Sequence, residues 1–235
     1  MDWTPVIGRH RPLQQDALRI LTVVHQLGQR SRAAGIHSSV ETEAHLQSLD
    51  HLVREPVDLA YVVMDQFSQQ RELRGRRAGL ARKVRALLTQ EDPRPARSSR
   101  RDRGLRRGRL EPFDPGAWER WDDILAFLGC RGLLRVQALP EQPRELGYLL
   151  TAEGAALLEE KIYPDNPTAS LYVERCRLLR ETVFRQRESH LGGAALHGYL
   201  RDVGQRIESY RRDEQISIEE DLLNHLFQAT FGEPL

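Results

Sequence analysis

Apolar residues recur three and four positions apart along most of the chain, which is the spacing of one face of an α-helix. The first stripe predicts a helix that begins near Pro12 and carries Leu13, Ala17, Ile20, Val24 and Leu27. Similar stripes predict helices over residues 40–54 and 72–90, and another at Pro56, because proline is tolerated in a first turn. Residues 1–90 are therefore predicted to form a helical part of the fold.

The spacing changes farther along, where two short runs suited to β-strands flank a polar loop. These runs span residues 133–139 and 145–150, and Thr151 follows them as the cap of a new helix. The helix before them is predicted to bury Trp118, Trp121, Leu125 and Leu128. A helix, two strands and a further helix in this order are typical of a winged helix. Residues 1–90 are therefore predicted to be the N-terminal helical part of a winged-helix core, and residues 113–165 are predicted to complete it. Proteins with this order of elements mostly bind nucleic acid, or are interaction modules derived from such proteins.

The last third of the chain returns to helical spacing. Asn166 and Pro167 form a typical helix start, and two more helices are predicted near residues 194–211 and 217–230. Residues 166–235 are therefore predicted to be a C-terminal helical extension. The predicted fold class is mainly α, with a winged-helix-like core, a two-stranded β wing and this extension.

The formal net charge of +1 conceals a segregated distribution. Between Arg71 and Arg109 there are fifteen basic and four acidic residues, a local charge of +11, so the remainder carries −10. Residues 91–112 are almost devoid of apolar side chains and are predicted to be a flexible Arg-rich loop or linker.

Dense positive charge is sufficient to bind phosphates without reading sequence, so this segment predicts sequence-independent DNA binding. The alternative is a solvated loop that binds an acidic protein surface. The candidate nucleic-acid-binding residues are Arg74, Arg77, Arg82, Arg85, Arg100, Arg101, Arg106 and Arg107.

The helix before the wing is a poor candidate for reading bases. A recognition helix needs Arg, Lys, Asn or Gln towards the bases, but this one carries Glu119, Asp122 and Asp123 against Arg120. The wing thus indicates architecture and a surface for a protein partner more than a base-reading device.

Catalytic chemistry is not predicted from the sequence. Neither the two cysteines nor the eight histidines have the spacing of a zinc site, and no phosphate-binding loop, dinucleotide motif or nucleophile elbow occurs. We therefore predict no catalytic residue, no metal, no cofactor and no enzymatic activity. The absence of a membrane-spanning apolar run and of a signal-peptide pattern at the start predicts a cytoplasmic protein without membrane contact.

Three segments together resemble a known family. They are L-Q-S-L-D-H-L-V-R-E-P-V-D-L-A-Y (residues 46–61), W-E-R-W leading into L-G-C-R-G-L-L (118–134), and G-Y-L-L-T-A-E-G (147–154). The chain is similar over residues 12–163 to the winged-helix middle components of bacterial ABC three-component systems. That resemblance implies a non-catalytic adaptor that works with an SMC-like ATPase in defence against phage or other foreign DNA.

Two alternatives remain open. One is a winged-helix transcriptional regulator that works as a homodimer through its C-terminal helices. The other is a helical ribonuclease, because the segments R-I-L-T-V-V-H (19–25) and R-Q-R-E-S-H (185–190) resemble the arginine and histidine spacing of HEPN ribonucleases. In such enzymes a His and an Arg would act on the ribose 2′-hydroxyl and the phosphate, and this alternative predicts that replacing His25 or His190 with Ala abolishes RNA cleavage.

Overall fold

The computed structural model of the chain describes residues 13–31, 33–89, 121–138, 146–184, 193–216 and 218–235. Helices predominate within these ranges, and a small four-stranded antiparallel sheet accompanies them. This confirms the predicted mainly α class with a small β element. Across the same ranges, every helix is too short or too polar to span a membrane.

The helices and strands follow one another in this order. Before the gap at residue 90 the elements are α1 (Leu13–Leu27), β1 (Gln29–Arg30), β2 (Ile36–Val40), α2 (Glu43–Arg54), α3 (Pro56–Gln69), a 3₁₀ helix (Arg71–Arg76) and α4 (Arg77–Thr89). After it they are α5 (Trp121–Cys130), β3 (Leu134–Ala138), β4 (Leu146–Thr151), α6 (Ala152–Leu157), a π-helical turn (Leu158–Ile162), α7 (Pro167–Thr182), α8 (Gly193–Asp213) and α9 (Glu219–Phe231).

The chain divides into two compact units. The first unit contains Met1–Asp50 and Phe113–Cys176, and the second contains His51–Pro112 and Arg177–Leu235. Each unit therefore combines two stretches that are distant in sequence. The predicted Arg-rich linker over residues 91–112 lies outside the described residues.

The sheet belongs to the first unit and has the strand order β1-β2-β4-β3. Its two longest pairings place Val40 opposite Tyr148 and Leu134 opposite Leu150. Helix α1 packs on β2 and β4, and α5 packs on α1 and β3. Because Leu134, Tyr148 and Leu150 are almost fully buried, this face of the sheet forms part of the core.

Strand β2 corrects the predicted helix over residues 40–54. Val40 ends a strand, and the helix begins only at Glu43. Thr42 sets this start, because its Oγ1 accepts a hydrogen bond of 3.1 Å from the backbone N–H of His45. Residues 36–40 adopt β structure because β4 supplies their backbone hydrogen bonds from a distant part of the sequence.

The junction between β4 and α6 has the predicted cap. Thr151 Oγ1 accepts from the backbone N–H of Gly154 at 3.0 Å and donates to the carbonyl of Gly132 at 2.8 Å. A Cβ at Gly154 would lie only 2.5 Å from the carbonyl oxygen of Leu133, so glycine permits this close approach. One residue thus joins the wing strands to the helix that follows.

The second unit has a helical core. Helix α3 packs on α4, α8 and α9, and the predicted inward residues Leu80, Val84 and Leu87 of α4 are buried. The Phe231 ring centroid lies 5.0 Å from that of Phe67 and 4.9 Å from that of Phe227. These aromatic contacts fix the last helix against α3.

Candidate functional site

Helix α5 lies directly before the β3–β4 hairpin, which the sequence analysis predicted to be a wing. Trp121, Ile124 and Leu128 are buried, whereas Asp122 and Asp123 are exposed. Ile124 therefore takes the inward place predicted for Leu125, which is half-buried. Trp118, predicted to be buried, and the charged Glu119 and Arg120 lie outside the described residues.

The exposed surface of α5 lacks the side chains that read bases. The sequence of the helix, WDDILAFLGC, contains no Arg, Lys, Asn or Gln, and its exposed charges are negative. Arg131 follows the helix, but its guanidinium lies 4.6 Å from the centre of the Phe127 ring in a cation–π contact. Carboxylates towards a DNA groove would repel its phosphates.

The wing strands expose apolar side chains on the face that continues from the core. Val136 is 41% exposed and Leu146 is 44% exposed. They lie near the outer end of the hairpin, where Val136 pairs with Tyr148 and Leu146 pairs with Ala138. Arg135 and Gln137 occupy the alternate positions of β3 and are also exposed. The tip of the wing, residues 139–145, lies outside the described residues.

The four described arginines of the predicted nucleic-acid interface fall into two pairs. Arg77 Nε donates to the carbonyl of Phe231 at 2.7 Å. Arg85 donates to the carbonyl of Pro234 at 2.7 Å and lies 5.2 Å from the centre of the Phe227 ring. Both side chains therefore hold the C-terminal helix and the residues after it.

Arg74 and Arg82 are exposed, and within the described ranges no ion pair joins either to an acidic side chain. They retain positive charge at the surface of the second unit. The other candidates, Arg100, Arg101, Arg106 and Arg107, lie outside the described residues.

A second cluster, which the sequence analysis did not group, brings together His25, His37 and Glu159. His25 lies near the end of α1, His37 in β2 and Glu159 in the π-helical turn. Gly28 permits β2 to approach α1, because a Cβ there would lie 2.9 Å from the carbonyl oxygen of Ser39. Ser38 Oγ also donates to the carbonyl of Val24 at 2.8 Å, which fixes the two elements together.

The imidazole of His25 is the buried centre of this cluster. Its Nε2 lies 3.0 Å from Glu159 Oε1, and its ring stacks on that of His37 with centroids 4.7 Å apart and planes 9° from parallel. Its Nδ1 lies 3.1 Å from the Tyr163 hydroxyl and 2.8 Å from Gln26 Nε2. Nε2 then carries the proton and donates to Glu159, while the single lone pair of Nδ1 is shared between the Tyr163 hydroxyl and Gln26 Nε2.

Both histidines of the cluster favour the neutral form. Burial lowers the pKa of His25 below 6.5, although the hydrogen bond that His25 donates to Glu159 acts in the opposite direction. Burial also lowers the pKa of His37, and the positive charge of Arg30, whose guanidinium contacts the His37 ring, lowers it further. At neutral pH each of the two imidazoles therefore keeps one unprotonated ring nitrogen.

Arg19, the arginine of the ribonuclease alternative, is buried and forms ion pairs within the first unit. It is 4% exposed, and its guanidinium donates to Asp50 Oδ1 at 2.5 Å and to Asp16 Oδ1 at 2.7 Å. This arrangement neutralises the charge that would contact a substrate phosphate. The second segment of that alternative, residues 185–190, lies outside the described residues.

Comparison of the chain with protein-family models, with curated proteins and with solved structures finds no match.

Proposed function

We propose that the chain is a non-catalytic adaptor subunit of a DNA-associated complex, built around a winged-helix core. The order of elements in the first unit supports this core. Helix α1, strand β2 and helix α2 come first, helix α5 and the β3–β4 hairpin complete it, and β4 lies between β2 and β3. The stretch from α3 to α4, with the residues that follow it, would then be an insertion between the second and third helices of the core.

The acidic exposed surface of α5 is the observation that carries the adaptor function. In DNA-binding proteins of this class the helix in that position enters the major groove. Asp122 and Asp123 make that role unfavourable, and Val136 and Leu146 are exposed on the hairpin whose strand β3 packs on this helix. We therefore assign α5 and the wing to protein contacts.

DNA contact is assigned instead to the basic segment. Arg74 and Arg82 are exposed in its described part, and its net charge of +11 suits phosphate binding without sequence recognition. The chain has no nucleotide-binding motif of its own. Together with the resemblance to middle components of ABC three-component systems, this favours a separate SMC-like ATPase as partner, in cytoplasmic defence against foreign DNA.

Sequence independence is the first testable consequence. Two 30-bp duplexes of unrelated sequence should bind the full chain with dissociation constants that differ by less than about tenfold, because specific sites typically bind at least about 10³-fold more tightly. Fluorescence anisotropy at fixed salt measures both constants. The double variant Asp122→Ala/Asp123→Ala should not lose affinity for either duplex.

Two outcomes would contradict this assignment. One is strong preference for a single palindrome bound by a homodimer, which indicates a transcriptional regulator. The other is cleavage of an RNA ligand that His25→Ala abolishes, which indicates the ribonuclease alternative.

A further inference from the structure

We propose that His25, His37 and Glu159 form a binding site for a divalent transition-metal ion, with Zn²⁺ as the best suited cation. Each residue offers one donor atom, and the three atoms all lie within 4.8 Å of one another. They come from three elements of the first unit, so a bound ion would join α1, β2 and the π-helical turn. This site is independent of the proposed DNA contact.

The donor set selects the class of metal. Two imidazole nitrogens and one carboxylate oxygen suit Zn²⁺ and neighbouring first-row ions, whereas Mg²⁺ and Ca²⁺ prefer oxygen ligands throughout. Tetrahedral Zn²⁺ with Zn–N bonds of about 2.1 Å requires donors ~3.4 Å apart. The donors must therefore approach one another, and the His37 ring must turn out of its parallel stack on His25 so that both lone pairs point at the ion. His37 is half-buried and the Glu159 side chain is 53% exposed, which leaves room for both to rotate.

The surroundings of His25 suit metal ligation through Nε2. The Tyr163 hydroxyl, 3.1 Å from Nδ1, can accept a hydrogen bond from that nitrogen once Nε2 binds the metal. Glu159 and Tyr163 are brought to opposite ring nitrogens of His25 by the π-helical turn, a feature that is frequent at functional sites. The exposure of Glu159 leaves room for water to complete the coordination shell.

Two neighbouring side chains must move when an ion binds. Gln26 Nε2 lies 2.8 Å from Nδ1 of His25, so its amide must turn and present Oε1 once Nδ1 carries the proton. Arg30 is exposed, and its guanidinium contacts the His37 ring, so it competes for the same lone pair and adds positive charge. It must turn towards solvent when the ion binds. Removing its charge should therefore strengthen binding, a result that a purely structural histidine cluster would not give.

Isothermal titration calorimetry with ZnCl₂ on the EDTA-treated full chain tests this site. We expect one equivalent of Zn²⁺ to bind, with affinity lowered more than about tenfold in Glu159→Gln and in His37→Ala. The matched controls Glu160→Gln and His225→Gln, both at exposed positions, should bind as the unmodified chain does. Arg30→Ala should bind more tightly.

A second measurement separates metal ligation from general loss of structure. Co²⁺ bound at this site should give the visible absorption of a tetrahedral ion, and Glu159→Gln should change that spectrum while its circular dichroism remains that of the unmodified chain. Absence of one-equivalent Zn²⁺ binding, or equal affinity in the ligand variants and the controls, would overturn the proposal.

Discussion

Replacing Asp50 with Ala is expected to lower the free energy of unfolding by about 3–5 kcal/mol, because it removes one partner of a buried ion pair. The Asp50 side chain has no exposed area, and that of Arg19 is 5% exposed. Without Asp50, the Arg19 guanidinium keeps its contact with Asp16 but remains buried with part of its charge uncompensated. Urea denaturation followed by circular dichroism measures the change.

A double variant distinguishes charge burial from loss of packing. Arg19→Met/Asp50→Ala removes both charges, so it should be more stable than Asp50→Ala alone. The exposed Asp122→Ala serves as a matched control and should change stability by less than about 0.5 kcal/mol. If the double variant loses as much stability as Arg19→Met and Asp50→Ala lose together, the broken ion pair is not the cause of the destabilisation.

Replacing Arg100, Arg101, Arg106 and Arg107 with Ala is expected to weaken DNA binding roughly 100-fold or more at 50 mM salt. Each phosphate contact releases counterions and contributes about 0.9 to the slope of log affinity against log salt, so loss of four contacts should reduce that slope by about 3 to 4. Anisotropy titrations from 50 to 300 mM salt give both quantities. An unchanged slope would sink the assignment of DNA contact to this segment.

Two further variants refine this test. Replacing four exposed arginines outside the segment removes the same total charge and should leave most of the affinity; these are Arg131, Arg135, Arg201 and Arg212. Because Arg131 and Arg135 flank the wing, a large loss in this control would assign DNA contact to the wing.

The described arginines provide a matched pair of variants. Arg74→Ala/Arg82→Ala should reduce the salt slope, since both side chains are exposed. Arg77→Ala/Arg85→Ala should chiefly lower stability, because these side chains bind the carbonyls of Phe231 and Pro234.

Features fixed by neighbouring residues could be predicted from the sequence. The first-turn proline of α3 and the Thr151 cap of α6 are local signals, and the structure has both. The buried stripe of α4 was likewise visible in its spacing, because a helical period depends only on residues three and four positions away.

Features that depend on distant residues were missed. Strand β2 forms because β4, more than a hundred residues later, pairs with it, so local propensity over residues 36–40 could not reveal it. The pairing of His25 with Glu159 spans 134 residues. The spacing of His25 from Arg19 suggested that the two residues act together, but Arg19 binds Asp50 and His25 binds Glu159. Gly28 follows His25 by three residues. The need for glycine at this position is evident only once β2 is known to pack against the end of α1.

The composition of the native complex tests the adaptor function most directly. The chain should be purified from the cells that encode it, and the intact assembly weighed by native mass spectrometry. We expect the 27.1 kDa chain in a stable complex with an SMC-like ATPase subunit that binds duplexes of unrelated sequence. A homodimer of twice that mass, without an ATPase and protecting one palindrome, would contradict the adaptor function.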